Sequence, residues 1–134
     1  MDIFNKEKRS AIMSRVRSSN TNPEIRVRQI LHRFGYRFRL HRRDLPGTPD
    51  IVLPAYESVV LVHGCFWHRH EGCRDASMPK TRIRFWKTKF AENMTRDSRN
   101  FAALRALGWK VLIVWECELR NEGVLTEKLK RVLS

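Results

Sequence analysis

Two helices are predicted from the spacing of apolar residues in the first quarter of the chain. Residues 5–16 place their apolar side chains on one side of a short basic helix. A second helix begins at Asn22, a residue suited to the N-cap, with Pro23 at the first helical position. It extends to about Phe34, and Gly35 is placed to end it in a left-handed conformation.

Three strands are predicted next, because the apolar period changes from helical to alternating. Residues 36–40 alternate apolar with basic side chains, as a strand with one solvated face does. A turn with two prolines follows over residues 45–49. Residues 50–53 and 58–63 are rich in β-branched side chains and are joined by a short turn. The strand over 58–63 is almost entirely apolar, so we expect it at the centre of the sheet.

The second half predicts a helix, a strand and a helix after a loop rich in histidine, cysteine and glycine. The first helix covers about 80–107, with a break allowed near Thr95, and the strand covers 109–115. Residues 122–133 form a closing helix. This order predicts an α/β fold with a mixed central sheet of about four strands, flanked by helices and containing one right-handed crossover.

Length and charge narrow the class of protein. A chain of 134 residues suits one domain over 1–134, which must then carry both binding and chemistry. Lysine and arginine number 27 against 14 acidic residues, giving a net charge of +13, so we expect nucleic acid as partner rather than a ribosomal or membrane-surface role. Without an apolar run of about 20 residues or a signal-peptide pattern, we expect a cytosolic protein.

Three cysteines lie beside or close to histidines in a pattern that predicts a zinc site. Cys65 and Cys73 flank the loop, and Cys117 follows the last strand. In a reducing compartment such cysteines are better explained as metal ligands than as disulfides or buried free thiols. One histidine would complete a tetrahedral structural site, and the spacing allows either His68 or His70. The other histidine would then be available for catalysis.

A second site is predicted where two neighbouring strands meet. Asp50 begins one strand and His63 ends the next, so a hairpin brings them close together. Oxygen ligands at such a place favour magnesium, which assists phosphodiester hydrolysis. Aspartate after proline is more typical of an ordinary turn. The metal interpretation depends on Glu24, His68 and Asp97 lying nearby.

Two aromatic pairs accompany these polar residues. Phe66 and Trp67 lie in the cysteine-histidine loop, and Phe85 and Trp86 begin the long helix. Flat side chains beside a basic surface can stack on bases or wedge between base pairs. The alternative is packing in the core, which for Phe66 and Trp67 is equally consistent with the sequence. We expect core packing for three other aromatic residues: Phe85, Trp109 and Trp115.

Three sequence runs closely resemble the very-short-patch repair (Vsr) endonucleases. They are LPGTPD at 45–50, VHGCFWH at 62–68 and GWKVLIVWEC at 108–117, and the resemblance covers nearly the whole chain. It implies a fold like type II restriction endonucleases, with a structural zinc and an active-site magnesium. It also implies nicking of one DNA strand at a thymine–guanine (T:G) mismatch that an aromatic wedge opens.

The resemblance assigns catalytic roles residue by residue. Asp50 and the backbone carbonyl of Val62 would bind magnesium, and Glu24 would act through water. His68 would be the catalytic base or acid, oriented by Asp97. One further residue would support the reaction near the scissile phosphate: His63.

The resemblance also implies the zinc ligands and the contacts to DNA. Zinc would be held by four residues: Cys65, His70, Cys73 and Cys117. A wedge would enter on the major-groove side from three aromatic residues: Phe66, Trp67 and Trp86. Residues 1–20 would form a basic helix at the minor groove, with four contact residues: Arg9, Met13, Arg15 and Val16.

The function expected from the sequence is therefore mismatch-directed nicking in very-short-patch repair. We expect a monomer on the bacterial nucleoid, with T:G-mismatched double-stranded DNA as substrate, mismatch-repair proteins as candidate partners and no membrane partner. Two alternatives remain. One is a restriction-type nuclease that cuts undamaged DNA, and the other is a zinc-stabilised binding module without catalysis. The carboxylates beyond the needs of zinc argue against the second.

Overall fold

The computed structural model describes residues 21–133, which form a mixed sheet with three helices. The helices are α1 (Asn22–Arg33), α2 (Ile83–Ala106) and α3 (Glu122–Val132). The strands are β1 (Arg39–Leu40), β2 (Ile51–Leu53), β3 (Ser58–His63) and β4 (Lys110–Trp115). Short 3-10 helices occupy Pro54–Tyr56, Arg74–Ala76 and Glu116–Arg120. The helix predicted over residues 5–16, with Arg9, Met13, Arg15 and Val16, lies outside the described residues.

The sheet has the order β1-β2-β3-β4, with two antiparallel pairs and one parallel pair. β3 pairs with β4 in parallel, and α2 connects them along the chain. The predicted mixed sheet of four strands is therefore confirmed. β3 also lies between two neighbours, and nearly all its side chains are buried, as its apolar sequence predicted.

Helices cover both faces of the sheet. Side chains from α1 and α3 pack on one face against Ile51, Leu53 and Val60. Leu104 of α2 packs on the opposite face against Val52 and Val59. Burying each such side chain contributes about 1.5–3 kcal/mol, so both faces stabilise the sheet. Within residues 21–133, the length and apolar character of every helix fall short of what crossing a membrane requires.

The ends of α1 are set by Thr21 and Gly35. Thr21, rather than the predicted Asn22, is the N-cap, and its hydroxyl accepts from the backbone N–H of Glu24 at 3.5 Å. Both residue types cap helices well, so the sequence left the position uncertain by one residue. Gly35 has φ of +81° and ends the helix as predicted.

Two predicted boundaries were wrong. β1 has two residues rather than five, because Tyr36 and Phe38 pack against the core without joining the strand ladder. α2 begins at Ile83 rather than 80, because Arg82 has φ of +54° and a left-handed residue cannot continue a helix. The helix is uninterrupted at Thr95. This residue is exposed, and a threonine at an exposed helix position lowers helix stability only slightly.

Candidate active site and metal centres

The N-terminus of α1, the start of β2, the end of β3 and the middle of α2 surround a cleft of about 1170 Å³. β2 and β3 are antiparallel, so the start of one lies beside the end of the other. The cleft is lined by eight of the residues that the sequence singled out: Glu24, Asp50, Val62, His63, Phe66, Trp67, His68 and Asp97.

Asp50 is held against β3 by a backbone contact. The N–H of Val62 donates to Asp50 Oδ2 at 2.8 Å. Burial raises the pKa of the Asp50 carboxyl to about 7, with the neighbouring Glu24 adding to the rise and the Val62 N–H opposing it. A cation beside Asp50 would stabilise its carboxylate form, which is the chemistry of a metal ligand.

Glu24 is buried beside Asp50 and makes two contacts that the sequence analysis missed. Its Oε2 accepts from Arg28 Nη2 at 3.2 Å and lies 3.3 Å from His41 Nε2. The ligand atoms of Glu24, His41 and Asp50 all lie within 4.8 Å of one another, which suits a metal ion. The backbone N–H of His41 donates to the Asp50 carbonyl at 3.2 Å, so the pairing of β1 with β2 brings this imidazole to the carboxylates.

His68 and Asp97 form a close pair on another wall of the cleft. His68 Nδ1 lies 2.5 Å from Asp97 Oδ2, and the carboxylate comes from the middle of α2. His63 stacks on His68 with ring centroids 3.8 Å apart and planes within 12°. Burial, with a contribution from His68, lowers the pKa of His63 to about 4. His63 is therefore neutral near pH 7, and His68 is the ring fixed by a carboxylate.

A separate cluster brings together Cys65, His70, Cys73 and Cys117. Their ligand atoms lie within 4.8 Å of one another, and Cys117 Sγ lies 3.4 Å from His70 Nδ1. Ligands about 2.0–2.3 Å from a tetrahedral zinc lie about 3.5 Å apart, so this donor set fits zinc. Burial raises the pKa of the Cys65 thiol to about 12 and also raises that of Cys117, so a cation is needed to hold thiolates here.

The loop that carries three of these residues folds back on itself. The N–H of His70 donates to the Cys65 carbonyl at 3.0 Å, and that of Cys73 donates to the His70 carbonyl at 3.3 Å. An ion pair between Asp75 and Arg120 joins this loop to the segment that carries Cys117. The fold thus groups His70 with the cysteines, while His68 lies with Asp97.

A series of contacting rings connects the cysteine cluster with the cleft. His70 stacks on Trp115 with centroids 4.1 Å apart and planes within 9°. Trp115 meets His63 edge-on at 5.4 Å, and His63 stacks on His68. His63 and Trp115 are partners in the parallel pairing of β3 with β4, so the sheet itself sets their distance.

The aromatic side chains of the loop pack against α2 at the rim of the cleft. Phe66 lies 5.2 Å from Trp67, 5.4 Å from Trp86 and 5.2 Å from Phe90, centroid to centroid. Phe66, Trp67 and Trp86 are all partly exposed. Core packing was wrong for Phe85, which is 45% exposed beside Trp86. Trp109 packs against the core, as expected.

A mixed sheet that presents a carboxylate at a strand start to an open cleft is typical of nucleases with a restriction-endonuclease-like fold. The catalytic domain of the homing endonuclease I-Bth0305I has the same fold, with a TM-score of 0.59 over 84% of this chain and 94% of that domain. The sequence identity is 18%, so this likeness concerns the fold alone.

Sequence comparison identifies the family. The profile of the family "DNA mismatch endonuclease Vsr" matches residues 1–75. The type II nicking enzyme V.XorIIP of Xanthomonas oryzae is 53% identical over 98% of this chain and 96% of its own length. The DNA mismatch endonuclease Vsr of Escherichia coli is 42% identical over 95% of this chain and 81% of its own length. The chain therefore belongs to the Vsr family of DNA mismatch endonucleases.

Proposed function

We propose that this protein is a magnesium-dependent endonuclease that nicks one strand of double-stranded DNA at a T:G mismatch, in very-short-patch repair on the bacterial nucleoid. The observation that carries the proposal is the common cleft of Asp50 and the His68–Asp97 pair. Family membership supports it, as do relatives named as a mismatch endonuclease and as nicking enzymes.

Asp50 and the backbone carbonyl of Val62 would hold magnesium in this proposal. The ion supplies charge neutralisation at the scissile phosphate. Glu24 would contribute through water, because its carboxylate lies beside Asp50. The Val62 N–H orients the Asp50 carboxylate by donating a hydrogen bond to it. Because Asp50 is buried, its carboxylate has little room to rotate out of this position.

His68 would transfer the proton in this reaction. The Asp97 carboxylate fixes one ring nitrogen of His68, so the other nitrogen is available for proton exchange. His63 would support the ring by stacking while remaining neutral beside the phosphate. A neutral neighbour makes a protonated His68 less unfavourable than a second charged imidazole would.

Zinc would hold Cys65, His70, Cys73 and Cys117 together as a closed structural site. Four protein ligands leave no open position for chemistry, which is the usual arrangement of structural zinc. The whole chain, 1–134, would then act as one endonuclease domain and as a monomer. Residues 1–20 would add a basic helix with four DNA-contacting residues: Arg9, Met13, Arg15 and Val16.

The wedge at the mismatch would be Phe66, Trp67 and Trp86. Their rings contact each other and remain partly exposed, so a separated base step could stack on them. A T:G wobble pair is opened at lower cost than a matched pair. Because Trp67 directly precedes His68, insertion of the wedge would also set the position of the proton-transfer residue.

The decisive experiment uses duplexes that carry a different label on each strand. Each contains one T:G mismatch, another mismatch or a matched pair, and each is incubated with the zinc-loaded protein with and without magnesium. We expect magnesium-dependent cleavage of one strand, faster at T:G than at any other pair. Cleavage of both strands of matched DNA would instead identify a restriction-type nuclease. DNA binding without cleavage, whichever divalent metal is added, would identify a binding module.

Trp67→Ala tests the wedge in the same assay. We expect nicking at T:G to fall about 10- to 100-fold, since base stacking on an aromatic ring contributes roughly 1–3 kcal/mol. Binding to matched DNA across a salt series should change little, because it depends on lysine and arginine. Phe34→Ala is the matched control, because Phe34 is also an exposed aromatic residue but does not line the cleft, and an equal loss in both variants would contradict the wedge.

A further inference from the structure

We propose that His41 is a direct nitrogen ligand of the active-site metal, and that this site therefore selects Mn²⁺ over Mg²⁺ more strongly than an all-oxygen site. The inference rests on the proposed function, because it concerns the same metal. It adds a ligand that neither the sequence analysis nor the assigned roles of Glu24, Asp50 and Val62 include.

The pairing of β1 with β2 determines where His41 lies. β1 and β2 pair Leu40 with Ile51, so His41 and Asp50 are the next residues in the same ladder. The His41 N–H donates to the Asp50 carbonyl, and a φ of +47° turns the chain at this point. The imidazole of His41 is three-quarters buried, because it lies against the carboxylates of Glu24 and Asp50 rather than in solvent.

The distances suit a six-coordinate cation. Adjacent ligands of such an ion are about 3 Å apart and opposite ligands about 4.2 Å apart. With His41 bound, Glu24 would also contact the ion directly rather than through water, because His41 Nε2 lies 3.3 Å from Glu24 Oε2, which fits adjacent positions. The complete set of ligand atoms from Glu24, His41 and Asp50 lies within 4.8 Å, so an ion requires movements of well under about 1 Å.

Charge explains why a nitrogen ligand would affect the choice of metal. Magnesium is held chiefly by carboxylate charge and gives up its water reluctantly. Arg28 Nη2 lies 3.2 Å from the same Glu24 oxygen and 3.3 Å from His41 Nε2, so it offsets part of that charge and would turn away from the ring nitrogen when an ion binds. Imidazole binds first-row transition metals, of which Mn²⁺ is the weakest binder, and magnesium binds imidazole more weakly still. With carboxylate charge reduced, the nitrogen therefore favours Mn²⁺.

The neighbouring group of His63, His68 and Asp97 does not provide an equivalent site. Its ligand atoms are also within 4.8 Å, but the two imidazole planes are within 12° of parallel. Ring-nitrogen lone pairs lie in the ring planes, so two stacked rings cannot direct them to one ion. A nitrogen detected on bound Mn²⁺ is thus expected from His41.

The experiment is pulsed electron paramagnetic resonance of Mn²⁺ bound to the zinc-loaded protein. We expect the spectrum to show coupling to one directly bound nitrogen nucleus. His41→Asn should remove this coupling, and asparagine tolerates the left-handed backbone at this position. His32→Asn, at an exposed position near the end of α1, is the control and should keep the coupling.

Calorimetric titration with each metal provides a second measurement. We expect His41→Asn to weaken Mn²⁺ binding at least roughly tenfold and to change Mg²⁺ binding by less than about threefold. Absence of nitrogen coupling in the wild-type protein would overturn the inference, and so would coupling that persists in His41→Asn. Nicking assays on the same preparations distinguish the proposed endonuclease function from the proposed His41 ligand. Nicking activity without nitrogen coupling would support the endonuclease function and contradict only the assignment of His41 as a ligand.

Discussion

Asp97 reaches His68 from the middle of α2, and this contact distinguishes His68 from the imidazole stacked on it. His63 and His68 are stacked rings of the same chemical type, yet burial keeps His63 neutral while a carboxylate 2.5 Å away fixes His68. A carboxylate in this position selects one tautomer and stabilises the charged ring. The difference between the two histidines therefore lies in their neighbours and not in the rings.

Asp97→Asn is expected to lower kcat for nicking by at least about 100-fold while the affinity for DNA stays within about threefold, because the amide loses the negative charge that orients and stabilises His68. Single-turnover cleavage and a binding titration on the same duplex measure the two effects. Asp44→Asn is the matched control, since the Asp44 side chain is 63% exposed and paired with Arg42. Equal rates for both variants would show that Asp97 has no part in catalysis.

The loop over residues 45–49 shows how one element positions another. Gly47 has φ of +73°, and a Cβ built there would lie 2.8 Å from Asn100 Nδ2 and 3.1 Å from Asn100 Cβ. The loop therefore rests directly on α2, three residues along from Asp97. Because the loop leads into Asp50, this contact helps to set the distance between Asp50 and Asp97, the α2 residue that pairs with His68.

Gly47→Ala is expected to lower the free energy of unfolding by about 2–4 kcal/mol, of which roughly 1–2 kcal/mol comes from the positive φ and the rest from overpacking against Asn100. Gly35→Ala is a close control, because Gly35 also has a positive φ of +81° but nothing lies within 4 Å of its added Cβ. Urea unfolding of both variants measures the difference. If both lose the same free energy, the contact with Asn100 has no energetic effect.

The sequence predicted those elements in which a local signal agrees with the fold. The apolar run of β3 indicated its central position, and Gly35 indicated the end of α1. His41 was missed because its importance depends on the register between β1 and β2, which no spacing along the chain reveals. The exposure of Phe85 was missed for a similar reason, since helical spacing alone does not say which face a long helix buries.

At the scale of the molecule, the cysteine cluster joins parts of the chain that are distant in sequence. Cys65 follows β3, Cys73 lies within the loop just before the 3-10 helix Arg74–Ala76, and Cys117 follows β4. Few apolar side chains of that loop are buried, although Cys65 itself is. The folding of this side of the protein is therefore expected to depend on metal more than on the hydrophobic effect.

Cys117→Ser is expected to abolish stoichiometric zinc and to lower the Tm by at least about 10 °C, since structural zinc contributes several kcal/mol and each kcal/mol corresponds to roughly 3–5 °C in a chain of this size. Elemental analysis and calorimetry provide the two readouts. For a control, the wild-type protein is stripped by a chelator and then given zinc or magnesium. Recovery with magnesium alone, or full stability without zinc, would contradict a structural zinc site.

The series of ring contacts also predicts how oxidation affects this protein in a cell. It runs from His70 through Trp115 and His63 to His68. Oxidation of the three cysteines would destroy the proposed zinc site, and His70 would then be free to leave its place against Trp115. The ring contacts that support His68 would then be weakened, while the lysine and arginine side chains that attract DNA would be unchanged. We expect such a copy to keep its affinity for DNA while losing its nicking activity, so that this nuclease fails by leaving DNA uncut rather than by cutting it at wrong places.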